Sequence, residues 1–479
     1  MKLRIALGVP DHFVPKARYV FRVLLAPYTI DIQWCDLTEV AEHGGCYYGA
    51  LPIEDIQSKK NVYVMASDPA TWDFFKHPEN HSALNHYFIT DYLGSSLPIL
   101  FGNANRVNNI QDSHFLADDL IASAFYWLSD WQEYTRKDRD KHNRLLFKGS
   151  LQEVLGLEYR ALVDEYGEYL LHFLGHDPVT LRRSKTARSI FSHDIDRIHK
   201  QTAGIIFRET WDYLILNRLK KPLSKRFKRW IEAFSQYLSP VDAYQESISQ
   251  LLEYSREHTL RSTFIFKSII ERHQHDAKDY LKSVYFNQVR EQVLFQPFEI
   301  GYHSGYLAGS RPDLLQKEWE QLNALLGTQV QIHRSHYLRY NPNVTFPALA
   351  ELGAKVDSSI AWADHIGLRG QTSHPYPIFD IRSNCELPIM EVPLSVMDTQ
   401  CFGYMKLSPK QSIEHISRLL NTIKRFNGVV VWNFHHHIHD PLDAPGWITI
   451  LEYAYQQATS SENTSFLDIY NVYRSYYEH

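Results

Sequence analysis

The sequence predicts an α/β protein with a large C-terminal unit of alternating strands and helices, preceded by a smaller α/β unit. Three observations predict this. Apolar runs of strand length recur in the second unit, as STFIFKS (262–268), QPFEIGYH (296–303) and GVVVWNFH (428–435). Helical stretches lie among them at 242–257, 311–326 and 409–426. A Gly- and Pro-containing basic run, GHDPVTLRRSKTA (175–187), separates that alternation from what precedes it. Strand–helix alternation is the pattern of parallel α/β architecture, of which a barrel is one form.

The first unit spans 1–180. LRIAL (3–7), IDIQWCD (31–37) and VYVMAS (62–67) read as strands. LADDLIASAFYWLSDWQEY (116–134) reads as one helix, because Leu120, Ile121, Ala124, Phe125 and Leu128 recur at helical spacing. A charged loop at 136–145 and a second helix over 158–174 follow. The second unit spans 188–479, with a helical insertion around 199–240. Within it, residues 218–229 crowd Lys and Arg among apolar residues. That pattern suits a solvated helix, or an interfacial helix docking on anionic lipid or an anionic glycan.

Bulk properties exclude several classes. With 479 residues, 44% hydrophobic and 22% charged, the chain has the makeup of a multi-domain globular protein. A net charge of -5 gives no electrostatic reason to expect nucleic acid as a partner. The aromatic share of 14% fits core packing and also sugar stacking. Cys35, Cys46, Cys385 and Cys401 form no paired pattern, so neither a disulfide scaffold nor a thiolate metal site is expected. The N-terminus reads as a first strand, and no apolar run approaches the ~18 residues of a membrane span. The expected compartment is the cytoplasm.

The most informative segment is IFSHDIDRI (190–198). An apolar lead-in runs into His193, Asp194 and Asp196. Polar groups at strand ends are where α/β sites assemble, and Asp and His both bind divalent metals and move protons. Four more strand-like runs end the same way. FEIGYHSGY (298–306) carries His303; QIHRSHYLRY (331–340) carries Arg334, His336 and Tyr337. MEVPLSVMD (390–398) ends at Asp398, and VVVWNFHHHIHD (429–440) carries His435, His436, His437 and His439.

In this order the five segments resemble the polysaccharide deacetylase family of carbohydrate esterases. FYWLSDWQEYTRKDRDKHNRL (125–145) is similar to the accessory domain of one subgroup of that family. The resemblance implies a distorted (β/α) barrel, a divalent metal that is usually zinc, and removal of N-acetyl groups from a sugar or polysaccharide. By position, Asp194 matches the general base and Asp196 the metal-binding carboxylate. His303 matches a metal-binding histidine, and Arg334 the arginine that orients the base. Tyr337 matches the residue whose backbone N–H faces the oxyanion. The strand-end histidine matches the general acid; His435 is the expected one, His437 the runner-up, and Asp398 the carboxylate that helps hold its charge.

The chain departs from the family at three points. Ile195 separates the two aspartates, Leu307 stands where the family has a second metal histidine, and His336 stands where the family usually has proline. His336 is the expected replacement ligand, with His193 as second candidate. Two other functions remain open. One is a barrel that lost its metal and binds a glycan or protein partner, which Leu307 favours. The other is a metal-dependent phosphohydrolase, which the His193–Asp194 pair favours.

Overall fold

The structure is a computed structural model and describes residues 1–50, 61–76, 78, 84, 87–102, 114–200 and 203–477. The N-terminal part carries a five-stranded parallel sheet. β1 (Lys2–Gly8) lies between β2 (Asp31–Cys35) and β3 (Gly45–Gly49), and β4 (Val62–Ala66) follows β3. β5 (Phe88–Tyr92) and β6 (Ser95–Ile99) form a separate hairpin, and β7 (Phe115–Leu116) edges the sheet beyond β4. The three strands read from sequence are β1, β2 and β4. β3 (GCYYG) escapes notice because glycines bound it. Gly45 has φ 150°, and a Cβ there would sit 2.6 Å from the Arg4 carbonyl oxygen, so the close approach of β3 to β1 needs glycine.

The helix expected over 116–134 is two helices, Leu120–Leu128 and Trp131–Thr135. Asp119 caps the first by accepting the Ala122 N–H at 2.9 Å. Asp130 breaks the run with φ 51°. Periodicity cannot show that break, because its cause is tertiary: the Asp130 carboxylate is held by distant residues, as described below.

The other strands form one ten-stranded sheet. β8 (Arg188–Ile195), β9 (Thr263–Lys267), β10 (Glu299–Ser304), β11 (Ile332–Ser335) and β12 (Val356–Asp357) are parallel neighbours in chain order. β13 (Tyr376–Asp380) and β14 (Cys385–Glu391) are an antiparallel pair that joins through β14 to β12. On the other side of β8 lie β16 (Val429–His435) and then β15 (Val396–Met397); β17 (Glu462–Asn463) pairs with the start of β8. The expected parallel-stranded α/β architecture is present. The strand path is open, since its ends β13 and β15 do not pair with each other among the described residues. β9 and β16 are buried along their whole length, as parallel strands covered by helices must be. The helices Ala243–Glu257, Pro312–Leu326 and Pro409–Arg425 supply much of that cover through Ile248, Leu251, Leu322, Leu419 and Ile423.

The region 199–240 leaves the sheet as a helical hairpin. Its described helices are Ala203–Arg208, a wider π turn Glu209–Ile215, and Leu223–Leu238.

The two sheets are tied together by buried contacts. Tyr376 and Phe379 of β13 sit in the apolar core of the N-terminal part. Arg369 donates from Nε and Nη2 to the two carboxylate oxygens of Asp130 at 3.0 and 2.9 Å, and Tyr340 OH donates to the same carboxylate at 2.7 Å. All three side chains are buried. Arg369→Met should therefore strand a buried carboxylate and cost about 3–5 kcal/mol, the usual penalty for removing one partner of a buried pair. Chemical denaturation followed by circular dichroism checks this; a loss below about 1 kcal/mol would show that water replaces the arginine.

Candidate active site

The C-terminal ends of six neighbouring strands deliver the polar groups. In-register pairing sets Asp194 of β8 beside His435 of β16, and His303 of β10 beside both Lys267 of β9 and Arg334 of β11. Side chains two apart on a strand share a face. The intervening Ile195 therefore turns Asp194 and Asp196 to the same side, where adjacent aspartates would point apart. His193 faces the other way, against the Phe264 ring at 5.1 Å, with no hydrogen-bond partner on either nitrogen among the described residues. It does not join the cluster.

Asp196, His303 and His336 offer one ligand atom each, all within 4.8 Å of one another. The tautomers follow from the outer partners. His303 Nδ1–H donates to the Arg334 carbonyl at 2.8 Å, and His336 Nδ1–H to Asp276 at 3.1 Å. Each ring thus presents a bare Nε2, at 3.4 and 3.3 Å from Asp196 Oδ1. Two lone pairs and a carboxylate oxygen converge, and among the described residues that buried oxygen has the Lys267 ammonium as its ion-pair partner. This donor set fits a divalent cation of the zinc type, down to the histidine-orienting carbonyl and carboxylate. Burial, then the nearby Lys267 charge, pushes His336 down to about 3, so its imidazole is neutral as a ligand must be. Burial opposes ionisation of Asp196, but Lys267, His336 and His303 hold its carboxyl well below the usual range.

Lys267 is the group that the sequence does not advertise. It ends the apolar run of β9, where a lysine looks like a strand boundary. Its Nζ is buried, 2.6 Å from Asp196 Oδ1 and 2.6 Å from His336 Nε2. An ammonium thus stands beside the point on which the ligand atoms converge.

Two pairs flank the cluster. Arg334 Nη1 donates to Asp194 Oδ1 at 2.9 Å, and Asn433 Nδ2 to Oδ2 at 2.8 Å. Burial alone would raise the Asp194 carboxyl; Arg334, then His303 and His435, outweigh it and bring it down to about 2. On the other side, His435 Nδ1–H donates to Asp398 Oδ1 at 2.6 Å, and its backbone N–H to Oδ2 at 2.8 Å. Burial disfavours charge on His435, but Asp398 lifts it to about 9. His435 Nε2 lies 3.9 Å from Asp196 Oδ2.

These groups line a cavity of about 480 Å³ that includes Asp194, Asp196, His303, His336, Tyr337 and His435. Asp398 lies behind His435. His437 reaches the cavity wall, whereas His436 turns away onto the Tyr244 ring at 4.7 Å. Leu307 packs against the main apolar core. Tyr337 and Leu338 are consecutive non-glycine residues at φ 62° and 53°, a costly backbone that the surroundings hold in place. Part of that hold comes from the N-terminal part: Arg144, fixed on Asp140, donates to the Tyr337 carbonyl at 2.7 Å and to Tyr404 OH at 2.9 Å. Lys141 lines the same cavity, and the His142 ring lies 4.7 Å from that of Tyr337. Read as a charged loop, 136–145 is in fact one wall of the site. A larger cavity of about 760 Å³, near Tyr134 and Arg382, contains no such cluster.

Residues 6–177 match DUF7033, a family of unknown function. No curated protein is significantly similar to the chain. Solved structures similar to it include a candidate polysaccharide deacetylase from Mycobacterium smegmatis, at 18% identity over 61% of this chain and 91% of that one, with TM-score 0.38. Puue allantoinase aligns at 12% identity over 64% of this chain and 96% of its own, with TM-score 0.41. A CE4-family pseudoenzyme from Bacillus anthracis aligns at 10% identity over 60% and 66%, with TM-score 0.31. With likenesses this distant, function has to be argued from the site's own groups.

The His435–Asp398 pair makes a pH-dependent contribution to stability. A folded-state value of about 9 against 6.5 in the unfolded chain means the contribution is full below about pH 6.5 and disappears as pH rises through about 9. Asp398→Asn should lower the His435 titration in an imidazole NMR experiment. The melting-temperature gap between variant and wild type should be wide near about pH 6 and narrow by about pH 10. A gap that is constant with pH would mean the carboxylate acts only on backbone N–H groups.

Proposed function

We propose that the chain is a metal-dependent hydrolase that removes N-acetyl groups from a sugar or polysaccharide. The observation that carries this is the convergence of Asp196, His303 and His336 on one point, between an ionised Asp194 and a protonated His435. In this reading 1–180 is an accessory domain contributing one wall of the site, and 188–479 is a deacetylase-type (β/α) barrel. The order of the five strand-end segments supports it.

Asp196, His303 and His336 would hold the metal, zinc by the chemistry of the donors. A divalent cation there supplies Lewis-acid activation of water and of an amide carbonyl. Asp194, kept ionised by Arg334 and aimed by Asn433, accepts a proton from the attacking water. Each of its oxygens keeps a second lone pair for this. The backbone N–H of Tyr337 faces the carbonyl oxygen as its charge develops. His435 carries a proton at neutral pH because of Asp398 and gives it to the leaving amine. Water and amide thus become acetate and a free amino sugar. The charge-paired Asp194 and the His435–Asp398 dyad suit an acyl substrate that needs one base and one acid.

A second reading rests on Lys267. Its ammonium already neutralises the Asp196 carboxylate, and a barrel in which it stays there would hold a glycan without turning it over. Metal titration of wild type and Lys267→Met, by calorimetry with zinc, separates the two. On the deacetylase reading wild type binds one ion, Lys267→Met binds it roughly tenfold tighter or better because no cation has to leave, and Asp196→Ala and His303→Ala lose it. A wild type that binds no zinc while Lys267→Met does would establish the non-catalytic reading.

Turnover is tested by acetate release from N-acetylglucosamine oligomers, with phosphate release from phosphate esters as the control for a phosphohydrolase. Asp194→Asn should retain the metal and lose roughly a hundredfold to ten-thousandfold in rate. If it empties the metal site instead, Asp194 is a ligand and the two aspartates exchange roles.

A further inference from the structure

The helical hairpin of residues 203–241 does not pack like the rest of the chain. Half of the exposed large apolar side chains among the described residues lie in it. In the helix Leu223–Leu238, Ala233 is the one buried residue. Leu223, Phe227, Ile231, Phe234 and Leu238 share one face at spacings of four, four, three and four, and all are exposed, Leu223 at 64% and Leu238 at 65%. Trp230 stacks between Phe227 and Phe234, with centroids at 6.1 and 5.4 Å. On the preceding helical arm Phe207 (69% exposed), Trp211 and Ile215 repeat every four residues, and Phe207 stacks on Trp211.

The hairpin is fastened to the rest of the chain through other side chains. Arg229 donates to both carboxylate oxygens of Glu209 at 2.8 and 3.0 Å and to the Leu442 carbonyl at 2.7 Å. Trp230 Nε1 donates to Thr210 at 2.8 Å. The docked side is thus used up by these contacts, and the apolar stripe beside it is left open.

The charge of the hairpin selects its partner. Residues 203–241 hold eight Lys and Arg against three Asp and Glu, a net of +5 in a chain whose total is -5. Glu209 and Asp212 are already paired with Arg208, Arg218 and Arg229. Lys220, Lys221, Lys225 and Lys228 make no ion pair among the described residues, and all four are exposed. Two copies of such a face would repel each other. A nucleic acid would leave the Phe, Trp and Leu stripe in water. An anionic bilayer surface accommodates both features: apolar and aromatic side chains enter the acyl boundary while lysines meet the headgroups.

We propose that residues 203–241 form a docking surface for an anionic phospholipid membrane. The hairpin leans on the loop that follows His435, through Arg229 on Leu442 and Gln236 on Asp440. The docking itself does not depend on the deacetylase reading, and its test needs no turnover.

Co-sedimentation of the full chain with vesicles decides it. Wild type should bind vesicles of phosphatidylglycerol mixed with phosphatidylcholine, and bind phosphatidylcholine alone at least tenfold more weakly. Lys225→Gln combined with Lys228→Gln should weaken binding to the mixed vesicles about tenfold or more. Phe227→Ser combined with Ile231→Ser should abolish it. Because these side chains are exposed, circular dichroism and melting temperature should stay those of wild type. Wild type remaining in the supernatant with both vesicle types would overturn the proposal, and so would equal binding by all variants. A dimer that dissociates in Phe227→Ser/Ile231→Ser, without vesicle binding, would assign the face to a second copy instead.

Discussion

The proposed site depends on an electrostatic imbalance at the ends of β8, β10 and β11. Asp196 Oδ1 faces two imidazole nitrogens whose protons are committed elsewhere, to the Arg334 carbonyl and to Asp276. Acceptors this close repel unless a positive charge lies among them. Lys267 supplies that charge in the structure described, which lets the chain fold around an otherwise unstable cluster. Any ion that enters here has to displace the ammonium from Asp196 and His336.

Around that point the two halves of the chain are interdependent. Asp194 and His435 lie on paired strands, yet their protonation is set in opposite directions by Arg334 and Asp398. Two titratable groups driven apart in this way are what acid–base chemistry requires. The wall that shapes access to them is not built by the sheet alone. Arg144 supports the left-handed Tyr337 from the N-terminal part, and Asp130 is held by Arg369 from the other side of the boundary. The N-terminal unit is consequently part of the site's geometry and not an appendage on it.

Much of this was legible in the sequence, and the exceptions have physical causes. Strand ends were legible because apolar runs stop where polar groups begin; the ends of β8, β10, β11 and β16 are all visible in this way. The Asp-x-Asp spacing carried more than it first shows, since period two alone puts both carboxylates on one face. His193 and His336 could not be ranked from sequence, because which side of a strand or turn faces the cavity is a matter of register. The break at Asp130 and the reach of Arg144 were invisible for a related reason: both are fixed by partners more than 190 residues away. Barrel closure is likewise a property of strand pairing, and alternation of strands and helices does not decide it.

Lys267 is the instructive omission. A lysine at the end of STFIFKS looks like the point where a strand meets water, and most such lysines are solvated. Here β10 runs one residue past it, and in-register pairing places His303 beside the enclosed ammonium. A buried lysine is tolerated only where negative charge or lone pairs repay its desolvation. Its position thus reports the same imbalance that the histidine tautomers report, from an independent residue on a different strand. Features on different strands thus mark one locus where positive charge is favoured.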